Sequence, residues 1–126
     1  LGIDDDMLTI QVGVSGGALF ACYRQALGFV SGSHTECQPL VLLDAMAAGT
    51  PFVARATGCI PGMRGGVSVK TVKEAAVAID ALFDEGHWQM LSQAGLTAAN
   101  TTYHPRQVSR QLWTAVQGFA EKSAPE

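Results

Sequence analysis

FVSGSHTECQPLVLLDAMAAGTPFVARA, residues 29–56, is the stretch that decides the fold. Phe29-Val30 ends a short apolar run, and Ser31-Gly32-Ser33-His34-Thr35 breaks it with turn-forming residues. Pro39 suits the first turn of a helix, where its missing N–H would have no intrahelical partner anyway. Leu40 to Ala48 follows without a breaker, Gly49 stops it, and Pro51-Phe52-Val53-Ala54 resumes an extended run. The pattern predicts strand, polar loop, helix, tight turn and strand, a compressed βαβ unit. In such a unit the loop that opens the helix gathers free backbone N–H groups and the positive end of the helix dipole. Anionic ligands bind α/β folds there.

Two carboxylates sit in this unit. Glu36 precedes the predicted helix and Asp44 lies within it, eight residues later. Were all eight residues helical, the rise would be about 12 Å at about 1.5 Å per residue. That separation suits two acids holding the two ends of one elongated ligand, not two acids sharing a proton. The other helix residues, Leu40 to Leu43 and Ala45 to Ala48, are apolar on every side, which predicts a buried helix. A carboxylate inside it needs donors or a cation, because an unpaired buried charge is costly. Two readings stand side by side here: a ligand-holding pair, or Asp44 paired with a base such as Arg55 while Glu36 caps the helix.

The string from Ser33 through Ala54, S-x-x-E-x-x-P-L-V-L-L-D-A-M-A-A-G-T-P-F-V-A, resembles the signature of the family 4-type retaining glycosyltransferases. Their E-x7-E motif runs through S-x-x-E-G-x-P-L-V-L-L-E-A-M-A-x-G-x-P-V-V-A. The likeness extends more weakly from about Ile10 to Phe119. It implies the two-lobed GT-B architecture, with residues 1–126 as a single partial Rossmann-like domain of the C-terminal, donor-binding lobe. The expected fold is α/β and three-layered. A small, mostly parallel sheet of about four strands is flanked by helices and followed by a helical C-terminus.

Carried over residue by residue, the resemblance implies that Glu36 bonds hydroxyls of a donor sugar and Asp44 holds the ribose hydroxyls of its nucleotide. Backbone N–H groups of Cys37, Gln38 and Leu40 would face the sugar or diphosphate, with Ser33 and His34 as further pocket residues. The chemistry is consistent, since a carboxylate accepts two hydrogen bonds from a vicinal diol and a helix N-terminus stabilises a diphosphate leaving group. Transfer with retention would rest on positioning and leaving-group stabilisation, without the covalent carboxylate of many glycosidases. The substrate would be a UDP-, GDP- or ADP-sugar, with no cofactor and no metal.

Departures from the family pattern are specific. Asp44 stands for a usual Glu, shortening its reach by roughly 1.5 Å, one C–C bond. Cys37 stands where Gly is common. In Thr57-Gly58-Cys59-Ile60-Pro61-Gly62, which resembles the family's G-G-x-P-E loop, Cys59 replaces a Gly and Gly62 a Glu, so no catalytic role is carried over to this loop. By this resemblance residues 1–126 are expected to hold neither the segment that brings the family's diphosphate-binding Arg and Lys nor the N-terminal acceptor lobe. The chain is therefore expected to bind a donor yet to be inactive by itself, needing a separate N-terminal lobe. The alternative is a non-catalytic interaction module whose exposed face drives homodimerisation. A third reading is a nucleotide-binding α/β domain of flavodoxin-like shape, since fold alone does not specify function.

Composition sets the frame for these readings. The 126 residues suffice for one domain with a core, are 48% hydrophobic and only 15% charged, and carry a net charge of −3. That charge offers nucleic acid or an anionic membrane no general attraction. No run of about 18 apolar residues signals a transmembrane segment, and Leu1-Gly2-Ile3-Asp4-Asp5-Asp6 does not read as a signal peptide. Cys22, Cys37 and Cys59 match no zinc or C-x-x-C spacing. Free thiols and a cytoplasmic location are the expectation.

Elsewhere, Met7 to Val14 reads as a strand, Ser15-Gly16-Gly17 as a turn and Ala18 to Ala26 as a helix. Val67-Ser68-Val69 reads as another strand. Residues 71–84 read as an amphipathic helix through Val72, Ala75, Ala76, Ile79, Leu82 and Phe83, broken by Glu85-Gly86. A helix carrying Trp88 and Leu91 ends near Asn100. A last helix begins at Tyr103-His104-Pro105, with Val108, Leu112, Val116 and Phe119 on one stripe. Trp88 and Trp113 are read as packing residues. Asp4 to Asp6 read as a solvated acidic entrance and Glu121 to Glu126 as a fraying tail.

Overall fold

A computed structural model describes residues 7–122. In chain order the elements are α1 (Gly16–Gln25), β1 (Phe29–Ser31), α2 (Leu40–Ala48), β2 (Phe52–Arg55), a 3-10 turn (Ile60–Gly62), β3 (Gly66–Val69), α3 (Val72–Ala81), α4 (Glu85–Asn100) and α5 (Pro105–Lys122). The three strands form one parallel sheet in the order β1-β2-β3, with Val30 beside Val53 and Val53 beside Val67. This is a Rossmann-like α/β arrangement of three layers.

The alternation of side chains along β2 divides the core. Phe52 and Ala54 face one layer, where Leu42 and Met46 of α2, Ile60 and Met63 of the turn, and Ala98 of α4 cover them. Val53 faces the other layer with Val69, against Ala78 of α3, Leu82 just past its end and Leu91 of α4. Strands covered on both faces need continuous apolar runs, which FVA in β2 supplies. Parallel strands also need a crossover. Between β1 and β2 it is α2. Between β2 and β3 the 3-10 turn suffices, because buried Ile60 and Met63 fill the place a longer helix would occupy.

Several ends and contacts have clear local causes. Gly49, at φ 78°, closes α2 in the left-handed conformation, its N–H reaching the carbonyls of Ala45 and Met46. Gly65 and Gly95 bring β3 and α4 into backbone contact, at a spot where a Cβ on Gly65 would collide with the Gly95 backbone. Thr71 caps α3 by accepting from the Glu74 N–H at 3.1 Å, while the Glu74 carboxylate takes the Lys70 N–H at 2.8 Å. The Asp84 carboxylate caps α4 through the His87 N–H at 2.7 Å.

The structure corrects several sequence expectations. The described residues hold three strands, not four. Met7 to Val14 forms no strand, and Met7, Leu8, Ile10 and Val12 are exposed. Its β-branched composition expresses a weak, context-dependent preference, which pays only where a ladder partner and a covering layer exist. α2 is not buried all round. Leu42, Ala45 and Met46 are buried, whereas Leu40, Val41, Asp44 and Ala47 are exposed, because the sheet, α1 and α4 leave one side of it open. The break between the two helices falls at Leu82 to Asp84, and Glu85-Gly86 forms the first turn of α4, since Asp84 supplies the cap.

Further out, α3 ends at Ala81, and Val72 and Phe83 lie outside its packed face at 87% and 74% exposure. Trp88 packs as expected and donates to the Leu27 carbonyl at 2.7 Å. Trp113 does not, being exposed on α5 together with Val108, Leu112 and Val116. Lys122 still belongs to α5. The acidic entrance Asp4 to Asp6 and the tail from residue 123 onward lie outside the described residues.

Candidate functional site

The loop from Gly32 to Pro39 leaves the C-terminal end of β1 and opens α2, as the sequence predicts. What holds it is the segment leaving β2 beside it. Arg55 Nη1 lies 3.1 Å from His34 Nε2, and the Thr57 hydroxyl donates to the His34 carbonyl at 3.2 Å. Gly58, at φ 53°, packs its Cα so closely on the Glu36 carbonyl that any side chain at position 58 would collide with it. Within the loop the Ser33 hydroxyl donates to the Thr35 carbonyl at 3.3 Å. Glu36 is thus presented by backbone anchored on both sides. A group held this way loses little conformational freedom when it binds a ligand.

Downstream of Glu36 the surface is open. Cys37, Gln38 and Leu40 are exposed, Pro39 is buried, and no side chain caps α2. The amide end of the helix therefore faces solvent beside the acid, the arrangement in which orphan N–H groups and the helix dipole favour an anion. Residues 36–39 are not helical, so the eight-residue spacing of the acids is not a 12 Å helical rise. From Leu40 to Asp44 the helix climbs about 6 Å.

Asp44 is exposed on α2, near enough to Tyr23 of α1 for its charge to act on that phenol. Burial pushes the Tyr23 hydroxyl above its ordinary value of 10.0, and the charge of Asp44 pushes it the same way. Tyr23 is itself fixed. Its ring meets Phe29 with centroids 5.5 Å apart, and its carbonyl accepts the buried Thr50 hydroxyl at 2.6 Å. The pairing of Asp44 with Arg55 weighed from the sequence does not occur, because Arg55 turns to His34.

A cleft of about 280 Å³ opens at the C-terminal ends of the strands, on the α3 side of the sheet. Val30, Val53 and Val69 form its floor, with His34, Arg55 and Lys70 among its polar lining. Neither Glu36 nor Asp44 lines it. The structure thus carries Ser33, His34 and Glu36 on one anchored loop and Asp44 on α2, one turn beyond its start. Sequence reading overlooked Arg55 and Thr57 as anchors. The available signal was their position at the exit of the neighbouring parallel strand, where side chains reach across to the adjacent loop. Among the described residues no group of three or more His, Cys, Asp or Glu is arranged to hold a metal ion.

An acid-bearing loop at the C-terminal edge of a parallel sheet, opening an uncapped helix, lies where Rossmann-like domains in general take their ligands. Comparison with known proteins narrows it. The family described as Glycosyl transferases group 1 matches residues 6–85, more than half of the chain. D-inositol 3-phosphate glycosyltransferase of Frankia alni is 36% identical over 101 residues, covering 75% of this chain and 25% of that protein. The enzyme of the same name from Actinosynnema mirum is 46% identical over 54 residues, covering 42% of this chain and 13% of that protein. The chain belongs to the group 1 glycosyltransferase family. It spans a quarter or less of the length of these relatives.

Proposed function

We propose that this chain is the sugar-nucleotide donor-binding part of a glycosyltransferase that transfers a glycosyl group with retention. The observation that carries the reading is the triple anchoring of the Glu36 loop by Arg55, Thr57 and Gly58 beside the open N-terminus of α2. In this reading residues 1–126 form one partial Rossmann-like domain. Glu36 accepts hydrogen bonds from sugar hydroxyls. Asp44, one turn into the helix, accepts those of the ribose. The N–H groups of Cys37, Gln38 and Leu40 meet the diphosphate or the sugar, and Ser33 and His34 border the pocket.

Transfer breaks the bond between the anomeric carbon and the diphosphate oxygen and forms one to an acceptor oxygen. The chain's own contribution is to hold the donor and to stabilise the negative charge that gathers on the departing diphosphate. No metal and no cofactor enter this reading. An acceptor-binding lobe would complete the reaction, and the 126 residues alone are expected to bind without turnover. Because both relatives are named D-inositol 3-phosphate glycosyltransferases, D-inositol 3-phosphate is the acceptor to test first.

Titration with UDP, GDP and ADP, followed by amide chemical shifts, tests the reading. Shifts within residues 33–44 that weaken in Glu36→Gln and Asp44→Asn support it. A second reading, an interaction module built on the same fold, draws on the exposed apolar stripe Val108, Leu112 and Val116 of α5. It predicts a dimer by sizing and no nucleotide binding.

A further inference from the structure

We propose that Cys37 and Cys59 form an intramolecular disulfide under oxidising conditions, clamping the loop that carries Glu36 to the loop that leaves β2. Gly58 packs directly on the Glu36 carbonyl, and a Cβ placed on Gly58 would lie 3.5 Å from the Cys37 carbonyl oxygen. Each cysteine immediately follows one member of that touching pair. Both thiols are free and exposed. Cys37 and Cys59 therefore stand on two loops in direct backbone contact. The third thiol, Cys22, is on α1 and donates to Gln11 Oε1 at 3.4 Å.

A disulfide needs Cα atoms within roughly 7 Å of each other and side chains turned inward. Cys59 Sγ now points at Met63 Sδ, 3.9 Å away. Closing the bridge therefore asks the Cys59 side chain to leave Met63, which belongs to the core, and asks the two surface loops to adjust.

The chemistry balances with a low-molecular-weight disulfide as oxidant. One protein thiolate attacks a sulfur of oxidised glutathione and expels a glutathione thiolate, leaving a mixed disulfide. The second protein thiolate then attacks the protein sulfur of that mixed disulfide and expels the other glutathione thiolate. Two protein thiols lose two protons and two electrons, and one oxidised glutathione becomes two reduced ones. The ring so closed contains α2 and β2 and fixes the position of Glu36. Only the effect on donor binding rests on the function proposed above.

The test is to treat the folded chain with oxidised glutathione, block remaining thiols with iodoacetamide, and measure intact mass and tryptic peptides. The expected product is a monomer in which Cys22 carries one glutathione or one alkyl group and one peptide pair is joined through Cys37 and Cys59. Dithiothreitol reverses it. Cys22→Ser keeps the cross-link, whereas Cys37→Ser and Cys59→Ser each lose it and retain a glutathione adduct on the remaining thiol. The oxidised chain should also melt at a higher temperature than the reduced one. Independent alkylation of Cys37 and Cys59 after oxidation, cross-links only between chains, or a bridge to Cys22 would overturn the proposal. These readouts need no nucleotide, so they stand apart from success or failure of the donor-binding reading.

Discussion

Arg55, the last residue of β2, meets His34, three residues beyond the end of β1, through an Nη1 to Nε2 contact of 3.1 Å. Arginine can only donate, so His34 Nε2 is the acceptor and the ring carries its proton on Nδ1. The contact joins two neighbouring strand exits and helps fix the loop that presents Glu36. Arg55→Gln should therefore act on loop order more than on global stability. We expect a stability change below about 1 kcal/mol, because the pair is exposed. Amide hydrogen exchange at residues 33–37 should speed up. Unchanged exchange there would remove the anchoring role of Arg55.

Gly58 is the sharper anchor. Gly58→Ala places a methyl group against the Glu36 carbonyl at a backbone conformation that favours glycine. The expected cost is about 1–3 kcal/mol in urea denaturation. Gly62→Ala is the control. Its added Cβ meets nothing within 4 Å and its φ is not positive, so its cost should stay within about 1 kcal/mol.

Truncation along α2 should reveal which side of the helix is core. Leu42 is 0% exposed between α2 and the sheet, whereas Leu40 is 72% exposed. Leu42→Ala should cost about 2–5 kcal/mol by leaving a cavity. Leu40→Ala should cost less than about 0.5 kcal/mol, as exposed substitutions do. Equal losses at both positions would contradict the layering.

The reading of α2 shows what the sequence could and could not tell. Its bounds were legible because Pro39 and Gly49 punctuate an unbroken run, and the parallel strands on either side followed from the same stretch. The exposure of Asp44 was not legible, since an all-apolar helix says nothing of which neighbours cover which side. Met7 to Val14 misled for a related reason. A strand is defined by its ladder partners, and residue composition carries no record of whether one is present. The contacts of Arg55 and Thr57 with His34 span more than 20 residues of sequence, so no local pattern announces them. Trp113 shows the limit of apolarity as a guide to burial, because its helix lies outside the two clusters that form the core.

Alkaline titration offers a check on the neighbourhood of Asp44. The raised Tyr23 value means that the folded state holds that proton more tightly than the unfolded chain does. Stability from this group is complete below the unfolded value near 10 and is lost as pH rises through the higher folded value. Absorbance at the phenolate band should show Tyr23 ionising above 10. Asp44→Asn should lower that midpoint only in part, because burial is the larger cause. A midpoint insensitive to Asp44→Asn would mean that the carboxylate does not face Tyr23.

Whether the loop between β1 and α2 holds a nucleotide is measured directly by a nucleoside diphosphate titration read by amide chemical shifts. Donor binding there gives saturable shifts in residues 33–44 for one of UDP, GDP or ADP, with affinity falling at least about tenfold in Glu36→Gln, the loss of roughly one charge-assisted hydrogen bond. Shifts confined to the cleft around Val30, Val53 and Lys70, or binding unaltered in both Glu36→Gln and Asp44→Asn, would contradict it.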